Sequence, residues 1–156
     1  MDKNGLLIVR AITLIIPLIF LSFVSFQIPF FQQVFLNHVL LFLNLFGIEF
    51  QVHGYQIITK NFSSIITFDC TGWKQFYIFC ALIFLPPGIK LSRRLKGFLF
   101  LIPLYFYNLI RVVVTIYVSS ISYSLFKPVH YFLWNFLFLS LIFVFWFWWY
   151  TKNKKV

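Results

Sequence analysis

Acidic residues are almost missing from this chain of 156 residues, which holds three aspartate or glutamate side chains against 13 lysines and arginines. The three acids are Asp2, Glu49 and Asp69, and they are far apart in the sequence. Transfer from lipid-linked glycosyl or acyl donors usually needs paired carboxylates, or a histidine with an aspartate, for proton transfer. The scarcity of acids therefore argues against that class of enzyme.

Cysteine is also scarce, with two residues, Cys70 and Cys80, and no C-x-x-C motif. Ten residues along one helix place the second thiol about 15 Å from the first, at about 1.5 Å per residue. A disulfide between them is then geometrically excluded, as is a dithiol redox centre. Three histidines without ligand spacing complete no metal site. We expect no metal and no cofactor.

Charged residues make up only 10% of the chain and hydrophobic residues 62%, too little charge to cover a soluble globule. A bilayer is the alternative solvent, so residues 1–156 are predicted to form a single integral membrane domain. The net charge of +10 resides in clusters beside apolar segments. It fits the positive-inside rule better than nucleic-acid binding, which we do not expect.

The predicted fold class is an all-α membrane protein with about four transmembrane helices, one outer interfacial helix and a small extracytoplasmic β-hairpin. A secretory signal peptide is the competing reading of the first apolar stretch, which is long for that role and has no convincing cleavage site. The basic clusters Lys90–Lys96 and Lys152–Lys155 are placed on the cytoplasmic side. The predicted spans are Leu6–Phe26, Trp73–Pro87, Gly97–Val118 and His130–Tyr150.

Two segments differ from these spans. Residues Pro29–Phe46 carry Gln33, Asn37 and Asn44 at helical spacing, so this helix either lies in the interface plane or spans with its polar stripe turned inward. Residues Gly47–Asp69 alternate around a central glycine and include β-branched residues, which predicts the hairpin outside the hydrocarbon region.

Cys70, Arg111 and His130 are the candidate catalytic residues. Cys70 lies where the hairpin ends and a helix begins, a position that favours the thiolate. Arg111 lies inside a span, where an ionised group pairs or serves function, and His130 begins the last span at a similar depth. Supporting roles are assigned to residues beside them. Thr71 and Gly72 would allow close approach of a substrate backbone, and Asn108, three residues before Arg111, would orient its guanidinium or bind a substrate carbonyl.

On these residues the chain resembles the exosortase/archaeosortase family of membrane cysteine proteases or transpeptidases. The resemblance covers roughly residues 47–145 and rests on Cys70-Thr71-Gly72, on a proline-bearing span that closes on Asn108-x-x-Arg111, and on His130. It implies that Cys70 is the nucleophile, Arg111 the stabiliser of the thiolate or oxyanion, and His130 the acid/base. Thr71 departs from the family, in which serine usually follows the cysteine, and some members have arginine where His130 stands.

The resemblance also implies the partners and the location. Substrates would be membrane-anchored exported proteins with a C-terminal sorting signal: a short motif, a transmembrane helix and a basic tail. Cleavage would occur at the outer face of the cytoplasmic membrane, with transfer to an acceptor such as a lipid. The alternative is a non-enzymatic transport or assembly subunit in which Arg111 pairs with a partner chain.

Overall fold

The computed structural model describes residues 3–23 and 27–154; it is 78% helical and contains one small sheet. A mostly helical chain with a small β element is thus confirmed. Residues 1–2, the last three residues of the first predicted span (24–26), and Lys155 of the second basic cluster lie outside the described residues. The α-helices are α1 Lys3–Phe23, α2 Pro29–Leu45, α3 Trp73–Phe84, α4 Leu91–Gly97, α5 Leu101–Ile121, α6 Phe126–Tyr131 and α7 Leu139–Lys154.

Within the described residues, two continuous helical stretches are long and apolar enough to cross a membrane. They are Leu91–Ile121, which runs from α4 through a 3₁₀ turn into α5, and Tyr123–Lys154, which includes α6 and α7. The apolar parts of α1 and α3, Leu7–Leu21 and Trp73–Phe84, are shorter. A helix of 12 residues such as α3 is about 18 Å long, whereas the hydrocarbon core is about 30 Å thick. Two of the four predicted spans therefore meet the length criterion.

The described residues pack into two compact units. The terminal unit combines the described parts of residues 1–26, 74–104 and 140–156, and the central unit combines Gln27–Trp73 with Tyr105–Leu139. The prediction of a single membrane domain stays a prediction. All six residues named as candidate site residues belong to the central unit.

The core of the central unit is built by one face of α2, by the sheet and by α5. The buried α2 side chains are apolar apart from Gln32, which donates to the Ile66 carbonyl at 2.6 Å. The predicted polar stripe is on the opposite, exposed face, where Gln33 donates to Asn37 at 3.0 Å. An inward-turned stripe is therefore wrong for this packing. The buried cluster contains Phe35, Leu36, Val39, Leu43, Ile57, Phe62, Ile66, Leu109, Val112, Val113 and Ile116.

The β element has three antiparallel strands and not the predicted two. The strands β1 (Gln51–His53), β2 (Gln56–Ile58) and β3 (Ser63–Ile65) form a meander in the order β1-β2-β3. Gly54, in the turn between β1 and β2, has a φ of +60°, which glycine adopts without steric cost. The third strand lacks the alternating hydrophobic pattern that marks the others, and for this reason the sequence pattern did not reveal it.

The last helix begins earlier than predicted. A 3₁₀ turn at Tyr123–Leu125 leads directly into α6, so His130 lies inside helix and not at its start. Pro128 occupies the first turn of α6, where a missing backbone N–H costs little. A seven-residue π-helical segment, Phe132–Phe138, connects α6 with α7. Such wide turns occur often near functional sites.

A buried arginine organises part of the terminal unit. Arg94 is 5% exposed and donates through all three side-chain nitrogens to the carbonyls of Ile83, Pro86 and Ile89. Its guanidinium also lies 5.6 Å from the centre of the Phe84 ring. Ile83 lies in the last turn of α3 and the other two carbonyls follow its end, so Arg94 fixes the chain where helical hydrogen bonding stops.

Candidate active site

Cys70 lies in a short 3₁₀ turn, Phe68–Thr71, that follows the sheet and precedes α3. This agrees with its predicted position between a hairpin and a helix. Its amide N–H, however, already donates to the Thr67 carbonyl at 3.0 Å, and α3 begins only at Trp73. The Cys70 N–H is therefore not one of the free amide groups at the start of a helix that would favour a thiolate. The Thr67 hydroxyl lies 3.5 Å from the Cys70 sulfur.

Thr71 and Gly72 shape this turn rather than a surface for substrate. The Thr71 hydroxyl is buried and donates to the Phe68 carbonyl at 2.7 Å. Gly72 has a φ of +80°, and a Cβ there would lie 3.0 Å from both Cγ and Nδ2 of Asn108. The glycine thus permits close approach of Asn108, and the close approach of a substrate backbone at Thr71 and Gly72 stays a prediction.

Asn108 connects the cysteine turn to the arginine. It is 0% exposed, its amide nitrogen donates to the Cys70 carbonyl at 2.9 Å, and its amide oxygen accepts from Arg111 Nε at 3.1 Å. Of the two predicted roles, orientation of the guanidinium is the one that these contacts match. The contact with Cys70 uses one of the two N–H donors of this nitrogen, and the second predicted role, binding of a substrate carbonyl, stays a prediction.

Arg111 is 2% exposed and lies on α5. Its guanidinium carbon is 4.4 Å from the centre of the Trp134 ring, a cation–π distance. Its charge interacts with Cys70 and with Tyr107. Among the described residues, only Nε of this side chain donates a hydrogen bond. The two terminal nitrogens therefore retain their donors.

His130 is half-buried between two aromatic rings. Its ring stacks on Phe126 with centroids 5.3 Å apart and on Trp134 at 5.8 Å. It is near enough to Arg111 for their charges to interact. Trp134 therefore contacts both Arg111 and His130. Sequence reasoning missed this residue, although it follows His130 by four positions, the spacing of one helical face.

The three predicted catalytic residues line one cavity of about 100 Å³ in the central unit. This volume corresponds to about three water molecules at 30 Å³ each. The remaining walls come from the sheet, α5 and α6: Phe62, Ser64, Ile65, Ile66, Val112, Thr115, Ile116 and Phe126.

The acid next to the cysteine has a contact of its own. Asp69 Oδ1 accepts a hydrogen bond from the Trp73 indole at 3.0 Å, across the start of α3. Among the described residues, no three histidine, cysteine or acidic side chains are grouped so that they could hold a metal ion. The polar chemistry that lines the cavity therefore consists of a thiol, a guanidinium, an imidazole and the hydroxyls of Ser64 and Thr115.

No protein-family model, curated protein or solved structure matches the chain. The resemblance to the exosortase/archaeosortase family thus remains a prediction, carried by the residues quoted for it. The convergence of Cys70, Arg111 and His130 is a finding of the structure, and their chemical roles are proposals.

Proposed function

We propose that this chain is a membrane-embedded cysteine protease or transpeptidase. The observation that carries the proposal is the cavity that Cys70, Arg111 and His130 share, with the terminal nitrogens of a buried arginine uncommitted. A cation held in an apolar wall stabilises an anion far better than one in water, because little solvent screens it.

The reaction begins with attack of the Cys70 sulfur on the carbonyl carbon of a peptide bond. His130 takes the thiol proton, and the terminal nitrogens of Arg111 donate to the oxyanion that forms. When the C–N bond breaks, the same proton passes to the leaving amine, and a thioester to Cys70 remains. Water then gives hydrolysis, or an acceptor nucleophile gives transfer, and the thiol is regenerated.

Membrane embedding is supported by the side chains on the last helical stretch. Large apolar residues stay exposed along it, among them Phe136 at 63%, Phe143 at 55% and Phe147 at 62%. A contiguous apolar surface of this kind is unusual in water and ordinary in lipid. We propose four membrane-spanning helices in all, with α2 lying in the interface between membrane and water. The positive-inside rule then assigns the basic clusters to the cytoplasm and the cavity to the outer face.

The resemblance supplies the substrate class. Substrates would be exported proteins that end in a recognition motif, a transmembrane helix and a basic tail, and the acceptor would be water, an amine or a lipid. A nucleophile at the outer interface would reach the peptide that emerges from such a helix. The proposed location is accordingly the cytoplasmic membrane, with lipids as neighbours.

A non-enzymatic subunit is the alternative, in which Arg111 would pair with a partner chain. Its near-complete burial within its own chain, against Trp134 and Asn108, weighs against that role. A partner's carboxylate would have to reach the terminal nitrogens of Arg111 through the same cavity that a substrate carbonyl would use.

The two cysteines provide a matched test in the living host. We expect exported proteins that retain a C-terminal helix and basic tail to accumulate at least tenfold in the membranes of Cys70→Ala cells, measured by quantitative proteomics of C-terminal peptides. Cys80→Ala cells should match the wild type, because Cys80 lies outside the cavity. Equal C-terminal peptide profiles in both variants would overturn the proposal. Sulfur labelling by an impermeant maleimide in intact Cys80→Ser cells tests the outer location of Cys70 in the same strain.

A further inference from the structure

The β3 strand is an edge strand, and it borders the cavity. In the sheet order β1-β2-β3, β3 pairs on one side only, and Ser64, Ile65 and Ile66 line the cavity with Cys70. Successive side chains of a strand point to opposite faces. Ser64 and Ile65 are neighbours within β3 and both line the cavity, which places the cavity at the edge of the strand; Ile66 follows directly.

The pairing fixes which backbone groups of β3 point outward. The Ile66 N–H donates to the Tyr55 carbonyl, and the Phe62 carbonyl accepts from the Thr59 N–H. In an antiparallel ladder the groups of alternate residues face the partner strand. Phe62, Ser64 and Ile66 therefore face β2, and the backbone N–H and C=O groups of Ser63 and Ile65 face away from it.

These outward groups have no hydrogen-bond partner within residues 3–23 and 27–154. The Ile65 side chain is 62% exposed, although proteins normally protect an apolar edge with charge, proline or a covering segment. The Ser64 hydroxyl, which lines the same cavity, is buried and also lacks a partner in the described part of the chain. An edge of unused donors and acceptors thus leads to the candidate nucleophile.

We propose that an extended peptide segment of the substrate, adjacent to the scissile bond, pairs with β3 as a fourth strand. This inference rests on the proposed function and deepens it, since it assigns the conformation in which the substrate is bound. Main-chain hydrogen bonds to Ser63 and Ile65 would hold the segment in register and deliver the scissile carbonyl to Cys70. Recognition of this kind reads the backbone of the substrate and only alternate side chains.

The test uses purified full-length protein in nanodiscs, with Cys80→Ser so that Cys70 is the single thiol. Acetyl-Ala-Ala-Ala chloromethyl ketone alkylates the sulfur with release of chloride and presents an extended backbone, whereas iodoacetamide presents none. In Ile65→Pro, which removes an outward N–H but no β2–β3 bond, we expect the ratio of the peptide rate to the iodoacetamide rate to fall about fivefold, the value of one hydrogen bond.

Val52→Pro is the matched control. Val52 pairs with Ile57, and the closing pair of the β1–β2 turn is His53 with Gln56, so the Val52 N–H points outward at the opposite edge of the same sheet. In Val52→Pro, the ratio of the peptide rate to the iodoacetamide rate should equal that of the Cys80→Ser protein with an unchanged sheet. Equal ratios in Ile65→Pro and Val52→Pro would overturn the inference.

A second measurement needs no substitution in the sheet, so it tests strand pairing with β3 even if Ile65→Pro misfolds. Methylation of one internal amide nitrogen of the peptide reagent should slow alkylation about fivefold, and methylation of the next amide should not, because strand pairing has a period of two. Equal effects at both amides would overturn the inference. Failure of the proposed function itself would appear instead in the Cys70→Ala and Cys80→Ala proteomes.

Discussion

Two buried arginines, one in each compact unit, have opposite environments. Arg94 in the terminal unit gives every side-chain nitrogen to a backbone carbonyl, whereas Arg111 in the central unit gives only Nε to a protein acceptor among the described residues. Both lie on aromatic rings, Phe84 and Trp134. The two arginines are therefore alike in burial and in their aromatic contact, and they differ in how many of their side-chain nitrogens donate to the protein.

The difference follows from what lies at the end of each side chain. Arg94 meets the carbonyls left unpaired where α3 stops, and these oxygens need donors. Arg111 projects from the middle of α5, whose backbone groups are already paired, and its end meets a cavity. An arginine that remains charged without protein acceptors is poised for an anion from outside the chain.

Replacement of the two arginines should separate stability from reactivity, and this is the largest effect we expect. Arg111→Met should reduce substrate processing by about 10²–10³-fold, the range for loss of an oxyanion donor. It should also lower the ratio of Cys70 alkylation by iodoacetate to that by iodoacetamide about tenfold, because the anionic reagent loses its cation. Arg94→Met should leave this ratio unchanged.

Stability should respond in the opposite order. Arg94→Met removes the donor from the Ile83 and Ile89 carbonyls, while the Pro86 carbonyl still accepts from Arg10. The substitution should cost about 2–4 kcal/mol, judged from about 1–3 kcal/mol per unsatisfied group. Arg111→Met leaves only the Asn108 oxygen without its donor and should cost about 1 kcal/mol. Thermal midpoints of the monodisperse fraction in detergent measure both. A fall in stability of the same size for both variants would break the comparison.

Two glycines with the same backbone conformation extend the comparison of the two compact units. Gly72 and Gly88 have φ values of +80° and +82°, but a Cβ at Gly88 meets nothing within 4 Å. Alanine at Gly88 should therefore cost only the left-handed backbone penalty, about 1–2 kcal/mol. Alanine at Gly72 should displace Asn108 in addition, and the rate of Cys70 alkylation by iodoacetamide should fall about tenfold.

The Asn108 side chain provides the check on that explanation. In the background of Asn108→Ala, which removes the atoms near the added Cβ, the further cost of Gly72→Ala should shrink to the cost measured at Gly88. Additive costs of the two substitutions would show that the close approach is not the cause.

The smallest expected effect concerns the aromatic rings below the two guanidinium groups. Trp134→Leu should lower the iodoacetate preference of Cys70 about threefold, since a cation–π contact and a ring stacked on His130 both disappear. Phe84→Leu, the equivalent change beside Arg94, should affect the thermal midpoint alone. Measurement of both quantities in both variants distinguishes a local role from general loosening.

The convergence of Cys70, Arg111 and His130 could be predicted from sequence, because an ionisable side chain in an apolar segment needs a polar partner and this chain has few such side chains. A thiol after a turn, an arginine inside an apolar helix and a histidine at similar depth point to a shared site. Of their partners, Asn108 could be predicted from its spacing to Arg111, whereas the other contacts depend on tertiary packing. The Gly72–Asn108 approach joins segments that no local pattern connects, and the stacking of His130 on Trp134 depends on how the π-helical turn rotates its residues.

The differences between the predicted and observed helix bounds have local causes. The predicted span runs from Trp73 to Pro87, but α3 ends at Phe84, because a proline disfavours the helical conformation of the residue before it. The last span is predicted to begin at His130, but Pro128 already lies in the first turn of α6. In both places a proline marks a boundary, and its position relative to the helix decides on which side the boundary falls.

The hydrogen bond from Asn108 to the Cys70 carbonyl has a mechanical consequence. Helices that cross a bilayer tilt as its thickness changes, and a nucleophile carried on a separate loop would lose its alignment with an arginine on such a helix. In this chain the Asn108 side chain, one turn before Arg111 on α5, donates directly to the backbone of the cysteine turn. The oxygen of the same amide accepts from Arg111 Nε, so we expect a tilt of α5 to move the cysteine turn and the guanidinium together.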